Sequence, residues 1–157
     1  MNRREAREQA LCLVFERLFN NEPLPEIIEL AIESRELTPD PFAKELAAGV
    51  IEHLDEIDGT IEKYSIGWSK SRLSKVVLSI LRLAIFEISY KSEIPISVSI
   101  NEAVELSKKY AGNGDGAFIN GMLGAFVRSE KGEDPEKAKN IEKSEKTEKS
   151  ETSEEAE

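Results

Sequence analysis

Three arginines open the chain within five residues, Arg3, Arg4 and Arg7, and their chemistry is the capture of anions, above all phosphates. They fall in the first two turns of an expected helix. There, cations oppose the positive end of the helix dipole, at a cost of about 0.3 to 1 kcal/mol each when exposed. Arg3 and Arg7 stand four residues apart and share a helix face, so with Arg4 they could grip successive phosphates. Glu5 and Glu8 offer a second reading, in which these carboxylates soften the dipole mismatch and pair with the arginines on an exposed mixed-charge face. Charge alone leaves both readings open.

Groups suited to bond-making chemistry are few. The chain holds one histidine, His53, and one cysteine, Cys12, on different expected helices, and one of each cannot build a His/Cys metal cluster. His53 sits between Glu52 and Asp55 and reads as a surface residue rather than a general base. Cys12 lies within an apolar helical pattern; alone, it forms no intramolecular disulfide, which suits a reducing compartment. The glycines of AGNGDGAF lack the Gly-Lys-Ser/Thr ending of a phosphate loop, and no strand precedes them. They read as a turn between helices. No cofactor or metal site is expected, and neither is an enzyme.

These groups have to be positioned by helices. Ala6, Ala10, Leu11, Val14, Phe15, Leu18 and Phe19 mark one face of a helix over about 3–20. Ile27, Ile28, Leu30 and Ala31 mark a short second helix after Pro23 and Pro25. Thr38-Pro39-Asp40-Pro41 is a helix-start cluster, and Phe42, Leu46, Val50, Leu54, Ile57 and Ile61 carry one long third helix to about Tyr64. Ile66 to Ser69 interrupt the pattern. From about Leu73 to Tyr90 nearly every position is apolar, as in a central helix wrapped by others. Pro95 ends that run, and Ser99 and Glu102 have the spacing of a capping box for the next helix. Gly112 is placed to end it, and Asn113, Gly114, Asp115 and Gly116 turn into a last helix. Phe118 there suits the core beside Ile119 and Leu123. Asn120 and Gly121 read as a tight helix contact. The expected fold class is all-α, a compact bundle of six to seven helices.

The chain of 157 residues carries 31 acidic and 21 basic residues, a formal charge of −10, which taken whole argues against nucleic acid as a partner. Half of that excess lies in residues 130–157, with 11 acidic residues and 6 lysines. From about Gly132 the chain repeats Glu-Lys-Ser and Glu-Lys-Thr without an aromatic residue, so it is expected to stay disordered. No apolar run is long enough to cross a bilayer, and no secretory signal opens the chain. The expected location is cytoplasmic.

Five blocks, in order, carry a family resemblance: RREAREQAL from Arg3, WSKSRLS from Trp68, ILRLAIFEI from Ile80, IPISVSINEAVELSKKY from Ile94 and FINGML from Phe118. Together, over about residues 2–128, they resemble NusB, the bacterial transcription antitermination factors. The resemblance implies a NusB-like, all-helical fold of two packed halves, about 1–66 and 67–129, and a non-enzymatic protein that binds the boxA element of nascent ribosomal RNA leaders, as single-stranded RNA, with the ribosomal protein NusE on RNA polymerase. It assigns RNA contacts to Arg3, Arg4, Arg7, Asn113, Gly114, Asp115 and Phe118, with Phe118 as an aromatic that could stack on a base beside its reading as a core residue. The chain departs from the family at Val77 and Leu78, where an acidic and a basic residue are usual. The NusE face is therefore expected to be apolar there, or to shift to Glu87 and Glu102. Two other classes fit less of the sequence: a helical protein that self-associates through Val77 and Leu78, as in a homodimer, and an RNA-recruiting module like those fused to ribosomal RNA methyltransferases.

Overall fold

The computed structural model describes residues 1–65 and 72–132, and among them the regular elements are all helical. The expectations for Ile66 to Ser69, including Trp68, and for the tail from residue 133 lie outside the described residues. The seven α-helices are α1 (Arg3–Arg17), α2 (Leu24–Arg35), α3 (Pro41–Glu52), α4 (Leu54–Tyr64), α5 (Lys75–Tyr90), α6 (Ile96–Tyr110) and α7 (Asp115–Phe126), followed by a π-helical turn at Val127–Lys131.

Local chemistry explains most helix starts. Asn2 caps α1: its side chain accepts from the Glu5 amide at 2.8 Å, while the Glu5 carboxylate accepts from the Asn2 amide at 3.1 Å. This reciprocal capping box satisfies two donors that a helix start otherwise leaves bare. Glu5 therefore serves the helix end rather than the arginines. Asp40 caps α3 through the Ala43 amide, and Ser74 caps α5 through the Val77 amide. The box expected at Ser99 and Glu102 does not form. Pro95 fixes the chain early, α6 begins at Ile96, and Ser99 lies within the first turn with its hydroxyl turned to the core.

Two lengths also differ from expectation. α1 ends at Arg17, and Phe19 is 63% exposed, so it leaves the apolar face it was assigned to. The long third helix is two helices, broken at His53 (φ −109°, ψ 26°), which closes α3 and opens α4. Periodicity misses this break because the apolar stripe continues through it. His53 is half-buried and stacks on Tyr90 at 4.3 Å between ring centroids, so it fills the angle between the helices. Cys12, expected within the apolar pattern of α1, is exposed.

α5 is the hub. Twelve of its residues, Val77 to Ile88, are buried without interruption, and it packs against α1, α3, α4, α6 and α7. One continuous core of apolar side chains, mostly aliphatic with Phe86 and Phe126, runs from Ala6 to Val127. At Gly49 on α3 a Cβ would overlap the Phe86 ring, so glycine there lets α3 and α5 approach closely. The tight contact expected at Asn120 and Gly121 is absent: both are exposed, and nothing lies within 4 Å of a Cβ at Gly121. On the α6–α7 hairpin it is Gly116, beside Ser107 and Val104, that permits close approach.

Candidate nucleic-acid interface

The opening arginines share a helix end but have three different environments. Arg3 lies over the Phe42 ring, 3.7 Å from its centroid, a cation–π contact that leaves the side chain at the surface. Arg4 pairs through two hydrogen bonds with Glu102, at 3.1 and 2.8 Å, and remains 56% exposed. Arg7 is buried. Its guanidinium donates to both oxygens of Glu87 at 2.9 and 2.8 Å, with side-chain exposures of 8% and 4%, and Ser99 donates to the same carboxylate at 2.7 Å. A second buried fork joins Arg82 to Asp58 at 2.9 and 2.8 Å.

These facts revise several site expectations. Arg7 is turned away from any phosphate at the surface, because its guanidinium is buried, forked onto Glu87 and 3.9 Å from Glu102. Helical spacing put Arg3 and Arg7 on one face; the packing of α1 against α5 and α6 then buried the second of them. Glu87 is likewise no surface residue. Val77 and Leu78 are 3% and 6% exposed, so they belong to the core and not to a partner-covered or self-associating apolar surface. Glu102 does stay near the surface, with a side-chain exposure of 14%. The Arg4 hydrogen bond, outweighing desolvation, holds its carboxyl below the usual glutamate range.

Glu8, expected beside the arginines, accepts from Lys109 at 2.9 and 3.0 Å and from Tyr110 at 3.3 Å. Long charged side chains therefore bridge α1 and α6, Arg4 to Glu102 and Glu8 to Lys109. A groove lined by Arg4, Glu8, Glu102, Glu105, Lys108 and Lys109 follows this seam.

The elbow closes with its own chemistry. Gly114 has φ +89°, the left-handed region that glycine enters without a Cβ clash, and Asp115 accepts from the Gly112 amide at 2.8 Å. Asn113 and Gly114 are exposed, while Asp115 and Phe118 are half-buried. Phe118 packs on the core and also lines a cleft of about 370 Å³ with Arg72, Leu73, Ser74, Val77, Asn113, Gly114 and Asp115. Both readings of Phe118 thus describe part of its environment. The elbow and the arginine tip are not in contact. Arg4 meets α6 at Glu102, ten residues before Gly112, which is about 15 Å along the helix. They are joined along α6: Lys108 lines both the α1–α6 groove and the groove that reaches Asn113 and Gly114. Arg72 was not singled out in the sequence; only the fold brings the approach to α5 against the elbow.

Fold and site define a class: a helical scaffold whose surface offers cations, an aromatic ring and a glycine-rich bend. Among the described residues, no group of three or more His, Cys, Asp or Glu side chains is arranged to hold a metal ion, and no helix is long and apolar enough to cross a membrane. The model of the NusB family matches residues 2–128. The chain belongs to the NusB family. The transcription antitermination protein NusB of Acetivibrio thermocellus is 45% identical over 130 residues, covering 82% of this chain and 90% of that protein. Its counterpart in Ruminiclostridium cellulolyticum is 42% identical over 139 residues, covering 87% and 94%. Among solved structures, NusB of T. maritima superposes with a TM-score of 0.71 at 35% identity, covering 82% of this chain and 92% of that one. A crystal structure of the antitermination factors NusB and NusE in complex with dsRNA contains a chain with a TM-score of 0.71 at 28% identity, covering 81% and 96%.

Proposed function

We propose that this protein is a non-enzymatic transcription antitermination factor that binds boxA-type single-stranded RNA of nascent ribosomal RNA leaders together with NusE, as part of an assembly on RNA polymerase. The observation that carries this reading is membership of the NusB family over residues 2–128, alongside a structural neighbour solved with NusE and dsRNA. The surface supports it: Arg3 and Arg4 at the α1 tip, Lys108 along α6, and Phe118 with Asn113 and Gly114 at the elbow form an interrupted strip of cations ending at an aromatic ring. Cations neutralise phosphates and release counterions, while a ring stacks on an unpaired base. Two cations of the strip are engaged by carboxylates, Arg4 by Glu102 and Lys108 by Glu105 at 3.1 Å, so binding exchanges those pairs for phosphate contacts. Affinity of the protein alone is therefore modest and falls steeply with salt.

The test is a titration of labelled boxA RNA with and without NusE at two salt concentrations. Binding should tighten with NusE, and Arg3→Glu with Arg4→Glu should weaken it while the fold and NusE pairing persist. Absence of RNA binding by wild type, with NusE present at low salt, would refute the reading.

A further inference from the structure

Resting on that RNA-binding role, we infer that Arg72, which the approach to α5 holds in one cleft with Phe118, is a base-stacking and phosphate-facing residue of the RNA site. The argument begins with what the other arginines are doing. Arg7 and Arg82 lie in buried forks with Glu87 and Asp58, Arg4 is held by Glu102, Arg35 by Glu16, Arg17 donates to Asn21, Arg3 lies on Phe42, and Arg128 lies against Gly124 past the end of α7, outside the cleft. Arg72 is exposed and makes no hydrogen bond or ion pair with any described residue. Among the described residues, none takes any of its five donors.

Its surroundings match a flat, anionic ligand. One wall of the cleft is Arg72, Leu73, Ser74 and Val77; the other is the elbow and Phe118. The volume, about 370 Å³, is within the range of small-molecule sites. Half-buried Leu73, backed by the core residue Val77, suits a base ring, and the exposed amide of Asn113 suits a base edge. The left-handed Gly114 keeps that rim free of a side chain, with nothing within 4 Å of where a Cβ would stand. A guanidinium is planar and weakly hydrated, so it stacks on a base face as well as bonding a phosphate. Asp115 also lines the cleft, but its carboxylate accepts from the Gly112 amide, and no ion pair ties it to Arg72. Cation and ring are 46 residues apart in sequence, and α5 and α7 pack together to make the cleft.

The experiment is a binding cycle with the full chain and fluorescein-labelled boxA RNA, with and without NusE, at two salt concentrations. Arg72→Ala should raise Kd on the order of tenfold, as loss of one stacked base does, and should flatten the salt dependence by about one phosphate contact. Arg72→Lys should restore the salt slope but only part of the affinity, because the charge returns without the plane. Phe118→Leu keeps an apolar side chain on the core. Combined with Arg72→Ala, it should cost less than the product of the two separate losses, since both act on one base. Kd within twofold of wild type for Arg72→Ala, independent losses in the double variant, or full rescue by lysine would overturn the assignment while leaving RNA binding itself intact. Weaker NusE pairing at unchanged RNA affinity would overturn it in favour of a protein contact. Failure of wild type to bind RNA would instead remove the function on which the inference rests.

Discussion

Replacing Arg7 with alanine should damage the fold rather than the RNA surface, and the structure gives the size of the effect. Arg7 and Glu87 are both buried and joined by two hydrogen bonds at 2.8 and 2.9 Å. Removing the guanidinium leaves the Glu87 carboxylate inside the protein with Ser99 as its remaining hydrogen-bond partner in the structure. Breaking a buried pair in this way costs about 3–5 kcal/mol, because one charge is left without its counter-charge. That is a large part of a total stability of about 5–15 kcal/mol. With an unfolding entropy of about 2.1 cal/mol/K per residue across the span 2–128, Tm should fall by about 10–20 °C. Thermal melting followed by circular dichroism reads this directly. Arg7→Met combined with Glu87→Leu removes both charges and keeps the volume, so it should melt well above Arg7→Ala. If Arg7→Ala melted within about 3 °C of wild type, the pair would not be buried as described. If the double variant were as unstable as the single one, lost packing and not a stranded charge would be the cause. Reversing all three leading arginines at once would therefore confuse unfolding with loss of RNA contact, which is why Arg3 and Arg4 alone are the informative pair.

Two further outcomes follow from the packing and the charges. Gly49→Ala places a methyl where the Phe86 ring stands, and Phe86 is itself held against Tyr90 and His53, so the variant should lose about 1–3 kcal/mol in a denaturant titration although alanine is the better helix former. Glu102, held by Arg4 below its ordinary value of 4.5, contributes stability that is complete above that value and is lost as pH falls through the lowered one. Melting between pH 5 and 3 should accordingly fall less steeply in Glu102→Gln than in wild type, and parallel curves would show that this pair does not contribute.

Local chemistry was largely legible in the sequence. The all-helical pattern, the hub character of residues 77–88, the cap at Asp40, the stop near Pro95 and the turn after Gly112 all follow from rules acting within a few residues, and the structure has each of them. Where two local signals competed, reading in sequence alone chose wrongly. Ser99 and Glu102 have box spacing, but Pro95 starts the helix first and both side chains turn to arginines or their partners across the bundle; Asn2 and Glu5 carry the same spacing and do form the box.

What only the tertiary structure decided is the fate of each charge and of each aromatic ring. Arg3, Arg4 and Arg7 are the same residue type within five positions, yet they become a ring-stacked surface group, a surface pair and a buried fork. Spacing fixes a side chain's angle around its own helix; burial depends on which neighbouring helix covers that angle, and here α5 and α6 cover Arg7. Val77 and Leu78 are buried for the same reason, and Arg72 meets the Phe118 cleft because α5 and α7 pack together. One-dimensional periodicity carries no information about such encounters between distant segments, so the helices were set by the sequence locally and the site by their packing.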